Sequence, residues 1–121
     1  MVMKKFILIA IVFFVAGCVG DDKKALADEA NIDGKELFKR CASCHKLDKD
    51  FTGPRLKGSL QRWGGDKKAM YDFIRNSAKS CEENAYAKKV FEKWNKTQMT
   101  AFALSDAEID AIMEYVETSG K

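Results

Sequence analysis

An all-α domain of about four short helices is what this sequence predicts. Three observations carry that prediction. No run of alternating β-branched residues appears, so no strand signal competes. Apolar residues recur at helical spacing in separate stretches, three of them opened by a capping residue. The remaining segments are rich in glycine and polar residues, with the only proline among them.

The first helix is expected behind Asp33, whose carboxylate can accept from exposed backbone N–H groups. Glu36, three residues on, makes a capping-box-like pair with it. Leu37, Phe38 and Cys41 then follow at helical spacing, carrying the helix into Arg40-Cys41-Ala42-Ser43-Cys44-His45. Phe51 to Ser59 reads as a loop. Asp66 caps a second helix whose stripe is Met70, Phe73, Ile74 and Ser77. Cys81 is expected in a polar, exposed loop after it, either free to join two chains or tucked beneath the loop as a small residue, with Glu82 and Glu83 raising its thiol pKa. Tyr86, Val90 and Trp94 mark the third helix. Ser105 and Glu108 form a capping box for the fourth, striped by Ile109, Ile112, Met113 and Val116. Four short helices make a thin core, and the loops are long for so small a body. A bulky apolar cofactor at the centre would explain both.

The domain does not begin at Met1. Lys4 and Lys5 precede an apolar run from Phe6 to Ala16, followed by Gly17 and Cys18. Basic, apolar and small residues in that order read as an export signal over 1–17. The run is too short for the ~20 residues of a membrane span, although an uncleaved anchor is the alternative. Val15-Ala16-Gly17-Cys18 resembles a bacterial lipobox, which implies acyl chains on Cys18 and a mature chain of 18–121. Residues 18–31 read as a charged tether and 32–121 as the domain.

Without Lys4 and Lys5, 19 basic residues face 18 acidic ones, which argues against a nucleic-acid binder. The charge is unevenly spread. Residues 35–68 hold ten Lys/Arg and four Asp/Glu, whereas 69–121 hold seven and nine.

The richest stretch is Cys41-Ala42-Ser43-Cys44-His45. Three readings compete for it. Cys-x-x-Cys-His is the attachment pattern of a c-type haem. Cys41 and Cys44 lie one helical turn apart, so each sulfur can join one haem vinyl group, and His45 follows as an axial iron ligand. Zinc held by Cys41, Cys44, His45 and Cys81 is the second reading. It suffers because adjacent Cys44 and His45 rarely grip one tetrahedral ion together. A redox dithiol is the third, and it lacks the βαβ surroundings such a pair needs. The pattern and the export signal together favour haem.

Residues 32–120 resemble a class I, monohaem cytochrome c. Gly34-x-x-x-Phe38 before Cys41 is similar to the family's first helix, which crosses the last helix near an aromatic, here Tyr115. Gly53-Pro54-x-Leu56-x-Gly58 resembles the loop on the histidine side of the haem. The resemblance implies that the Pro54 carbonyl accepts from the second nitrogen of His45. It implies that Arg62 binds a haem propionate, with Trp63 either joining it or packing in the core.

His45 is the only histidine, so a second histidine ligand is excluded. Of five methionines, Met1 and Met3 leave with the signal, and Met70 and Met113 lie on helical stripes. Met99 stands in a stretch resembling the family's methionine loop, except that Thr100 occupies the place of the usual proline. Met99 is therefore the expected sixth ligand, with lysine or an open site as alternatives. Two filled axial positions imply one haem c in an electron carrier rather than an enzyme. The expected setting is monomeric, lipid-anchored on the periplasmic side of a membrane, serving redox partners that present an acidic patch. A gas sensor or catalytic haem domain would instead need the sixth site open.

Overall fold

The computed structural model describes residues 31–119, and the described residues are helical and irregular, with no strand. The expected signal, Cys18 and the tether lie outside them, apart from Asn31. Six helices follow in order: α1 Gly34–Phe38, α2 Ser59–Arg62, α3 Lys67–Arg75, α4 Ser77–Glu83, α5 Ala85–Lys93 and α6 Asp106–Thr118. The all-α expectation holds, with two helices more than the pattern indicated.

α1 starts because the Asp33 carboxylate accepts from the N–H groups of Lys35 and Glu36. Glu36 does not complete the box; it pairs with Lys39 at 2.6 Å. The helix packs against α6 so closely that a Cβ on Gly34 would sit 2.0 Å from the Ala111 carbonyl oxygen. Only glycine permits that approach. Phe38 and Tyr115 complete the contact, ring centroids 5.4 Å apart and tilted at 49°. α6 has the full capping box, Ser105 and Glu108 each serving the other's backbone N–H. It buries Ile109, Ile112 and Val116, each worth about 1.5–3 kcal/mol when removed from water.

The stripe expected through Ser77 breaks at Asn76, whose backbone is extended at φ −154°. Asn76 closes α3 through its N–H to Asp72 and opens α4 by accepting from Lys79. Asn84 repeats the device between α4 and α5, accepting from Tyr86 and Ala87. Each asparagine serves both helices at a corner, which turns one expected loop into α4. Cys81 is thus not in an exposed loop. It is half-buried within α4, and its thiol donates to the Ala87 carbonyl at 3.6 Å. Burial raises its pKa, rather than the two acids that follow it.

α3 is fastened to α6 by polar contacts. Tyr71 donates its hydroxyl to Asp110, and Lys67 pairs with the same carboxylate at 2.7 Å. Arg75 donates to the Leu104 carbonyl at 2.7 Å and pairs with Asp106. Burial and the bond to Asp110 drive the Tyr71 pKa well above its ordinary value. Only seven apolar side chains are fully buried among the described residues. The rest of the apolar lining, including Leu56, Trp63, Phe102 and Met113, is half-buried and packs around them. What lies inside that half-buried lining is a cavity.

Candidate functional site

The cavity has a volume of ≈ 260 Å³ and is walled on one side by Cys41, Cys44 and His45. The chain winds through these three in tight turns. Cys41 and Ala42 donate their N–H to Phe38, and Cys44 and His45 donate theirs to Cys41 at 3.2 and 2.9 Å. Lys46 closes the turn by donating to the Ala42 carbonyl at 2.9 Å. The motif therefore continues α1 as turns, not as regular helix, yet the pair still reaches one cavity. All three described cysteines carry free thiols. Burial raises the Cys41 pKa, partly offset by Arg40.

The loop that follows folds back onto His45. Gly53 donates to the Cys44 carbonyl at 2.8 Å, Leu56 to Lys46 at 3.0 Å and Lys57 to Leu47 at 2.8 Å. Two consequences concern the imidazole. Its Nδ1 lies 2.7 Å from the Pro54 carbonyl oxygen, so Nδ1 carries the proton and donates. Its Nε2 is then the basic nitrogen, the one able to ligate a metal. The ring also lies against Gly53, where a Cβ would come within 2.5 Å of Cε1 and 3.1 Å of Nε2. Glycine is needed there to seat the ring.

Met99 lines the same cavity, within the irregular segment between α5 and α6. Its carbonyl accepts from the buried Ser77 hydroxyl at 3.2 Å. Met70 and Met113, assigned to helical stripes, also reach the cavity wall. Met70 is only 3% exposed and sits in α3, held within the core. Trp63 lines the cavity too, packed on Phe73 and Tyr86 with centroids 5.2 and 4.9 Å away. Arg62 stands beside it, exposed, donating to the backbone carbonyls of Arg55 and, at 2.8 Å, Lys57. Cys81 is absent from this wall. Among the described residues, no three of His, Cys, Asp and Glu gather as a metal-binding group.

These residues fit a covalently bound haem. Two thiols reach one apolar cavity, a histidine presents a basic nitrogen with its other nitrogen already fixed, and a glycine makes room for the ring. Sequence reasoning missed two contributors. Gly53 belongs to the quoted loop motif without its contact to the ring being legible there, and Ser77 sits at a stripe position. Gly53 acts through the absence of a side chain and Ser77 through a carbonyl 22 residues away, neither of which the local pattern shows.

The Cytochrome c family model matches residues 32–120. A 32-residue stretch is 47% identical to cytochrome c2 of Rhodopseudomonas palustris, covering 26% of this chain and 28% of that protein. The chain thus matches little more than a quarter of that curated relative's length. The solved structure of the cytochrome c from Rhodothermus marinus is similar over 77% of this chain and 75% of its own, with 31% identity and a TM-score of 0.57.

Proposed function

The chain belongs to the cytochrome c family, and on that premise we propose that it is a membrane-tethered electron shuttle whose haem iron is held by His45 and Met99. A haem electron-transfer protein is what the family implies, and haem c attaches through the Cys41 and Cys44 pair. The ligand set and the tether are our reading. One observation carries the His45 ligand: its Nδ1–H donates a hydrogen bond to the Pro54 carbonyl, which leaves Nε2 free for iron.

When bound, the haem supplies an iron centre that takes up and returns one electron. The chain supplies everything else. The Cys41 and Cys44 thiols would hold the haem through thioether bonds to its two vinyl groups. Pro54 and Gly53 fix the plane and tautomer of His45. Met99 would offer the iron a thioether sulfur as the second protein ligand, which would favour the reduced state relative to a second nitrogen. Filling both positions leaves no vacancy for a substrate. Trp63, Tyr86 and Trp94 contribute an apolar wall that limits water.

The basic bias of residues 35–68 suits partners with an acidic docking patch, and association should weaken as salt rises. Cys18 carries the lipid that holds the protein on the periplasmic side of a membrane; Cys18→Ser should release it to the soluble fraction. Spectra of the reduced protein with and without carbon monoxide test the ligand set. An unchanged spectrum supports two protein ligands, and a carbon monoxide adduct favours an open-site sensor or catalytic domain instead.

A further inference from the structure

Two residues that flank the α3–α4 corner reach one distant segment. Arg75 ends α3 and Ser77 begins α4, with the extended Asn76 between them. The Arg75 Nε donates to the Leu104 carbonyl at 2.7 Å. The Ser77 hydroxyl donates to the Met99 carbonyl at 3.2 Å. The segment they reach has few other ties. Among the described residues, no backbone N–H of 98–103 donates to a backbone carbonyl. The bonds joining this segment to the rest of the fold therefore come from a single corner, 22 and 29 residues upstream.

Arg75 is itself held from several sides. Its guanidinium pairs with Asp106 at the start of α6, lies 3.9 Å from Asp72 and sits over the Tyr71 ring at 5.9 Å from the centroid. A planar donor with this many partners keeps one orientation. Its bond to Leu104 is charge-assisted, and so stronger than the neutral bond from Ser77. Fastening α3 to α6 does not by itself call for this arrangement, because Tyr71 already bonds Asp110 across the same two helices. What Arg75 adds is a hold on the end of the segment that carries Met99.

We propose that Arg75 is a positioning residue for Met99: with Ser77 it clamps the Met99–Leu104 segment at both ends, and so sets how readily Met99 leaves the iron. The proposal rests on the reading of Met99 as an iron ligand.

The test uses full-length, haem-loaded protein as wild type, Arg75→Met, Arg75→Lys, Ser77→Ala and Tyr71→Phe. Arg75→Met keeps the apolar stem and removes the donors. Tyr71→Phe removes the bond to Asp110 and leaves both ties to the Met99 segment in place. Imidazole is titrated into each oxidised protein, and loss of the weak long-wavelength band of methionine–iron ligation is followed. Imidazole binds only molecules whose methionine has left, so its apparent affinity reports that fraction. Arg75→Met should bind imidazole about tenfold more tightly than wild type, the factor expected for one hydrogen bond from a charged group. Ser77→Ala should shift the same way by less. Arg75→Lys, which keeps a charged donor, should fall between wild type and Arg75→Met. Tyr71→Phe should match wild type. Equal affinities in wild type and Arg75→Met would overturn the proposal while leaving Met99 as the ligand. So would an equal tightening in Tyr71→Phe, which would reduce Arg75 to a fastener between α3 and α6. If Arg75→Met does not fold, Arg75→Lys decides: a wild-type affinity there, beside a wild-type affinity in Ser77→Ala, would overturn the clamp. Wild-type protein without the methionine–iron band would overturn the ligand reading as well.

Discussion

The two walls of the cavity are built differently. The His45 wall is tied by a ladder of backbone bonds: Cys44 and His45 to Cys41, Gly53 to Cys44, Leu56 to Lys46 and Lys57 to Leu47. The Met99 wall runs through residues 97–104 with little of that. Thr97 donates to Trp94, Leu104 donates to Phe102, and between them Ser77 alone grips the Met99 carbonyl. The chain enters this segment through Asn95 and Lys96, both left-handed at φ 56°. One wall is tied by many backbone bonds, and the other is held by two side-chain bonds, from Ser77 to Met99 and from Arg75 to Leu104. The difference teaches that the histidine side is the more rigid, and that under the proposed ligand set the methionine side would decide how firmly the second ligand stays.

Breaking the ordered wall should give the largest effect. Replacing both Cys41 and Cys44 by alanine removes both thioether sulfurs, and haem retention after acid-acetone extraction should fall to nothing. Retained haem in that double variant would remove covalent attachment from the account.

Gly53→Ala comes next. The new Cβ would meet the His45 ring at 2.5 Å, and the ring is pinned by Pro54 and cannot easily yield. A cost of about 1–3 kcal/mol is expected from overpacking. Thermal unfolding of the haem-loaded protein should show a lower midpoint, together with a disturbed histidine–iron signature. A variant with wild-type stability and spectrum would mean that the wall is softer than its hydrogen bonds imply.

The sparse wall is probed by Ser77→Ala, which removes the side-chain tie nearest Met99, leaving that of Arg75 to Leu104, at a cost of about 1 kcal/mol. Loss of the methionine–iron band on heating should come earlier in this variant, while global unfolding moves less. If both move together, the two walls unfold as one unit and the contrast fails.

A smaller effect belongs to Asp110, which lies outside both walls and fastens α6 to α3. Its carboxyl is held below the usual range by Lys67 first and then by the Tyr71 hydroxyl. A depressed carboxylate contributes stability above the unfolded value of about 4, lost as pH falls through the folded value. Asp110→Asn should therefore flatten the acid limb of stability slightly, since the site is largely open to solvent. An unchanged acid limb would remove this contact from the account.

The ends of α1, α3 and α6 were legible in the sequence because Asp33, Asp66 and Ser105 cap through neighbours two or three residues away. The corners at Asn76 and Asn84 were not, since one asparagine ending a helix and starting the next looks like an ordinary loop residue. That hid α4 and with it the half-buried place of Cys81. The motif residues Cys41, Cys44 and His45 were legible because their chemistry depends on adjacency. Gly53 and Ser77 act across 8 and 22 residues, through a ring contact and a carbonyl, and only packing reveals those contacts.

The central claim, that His45 and Met99 together close the iron to substrates, is tested most directly by the spectrum of Met99→Ala beside wild type. Oxidised wild type should show the weak long-wavelength band of methionine–iron ligation, and its reduced form should ignore carbon monoxide. Met99→Ala should lose the band and bind carbon monoxide. Retention of the band in Met99→Ala, or its loss in Met70→Ala instead, would contradict the account.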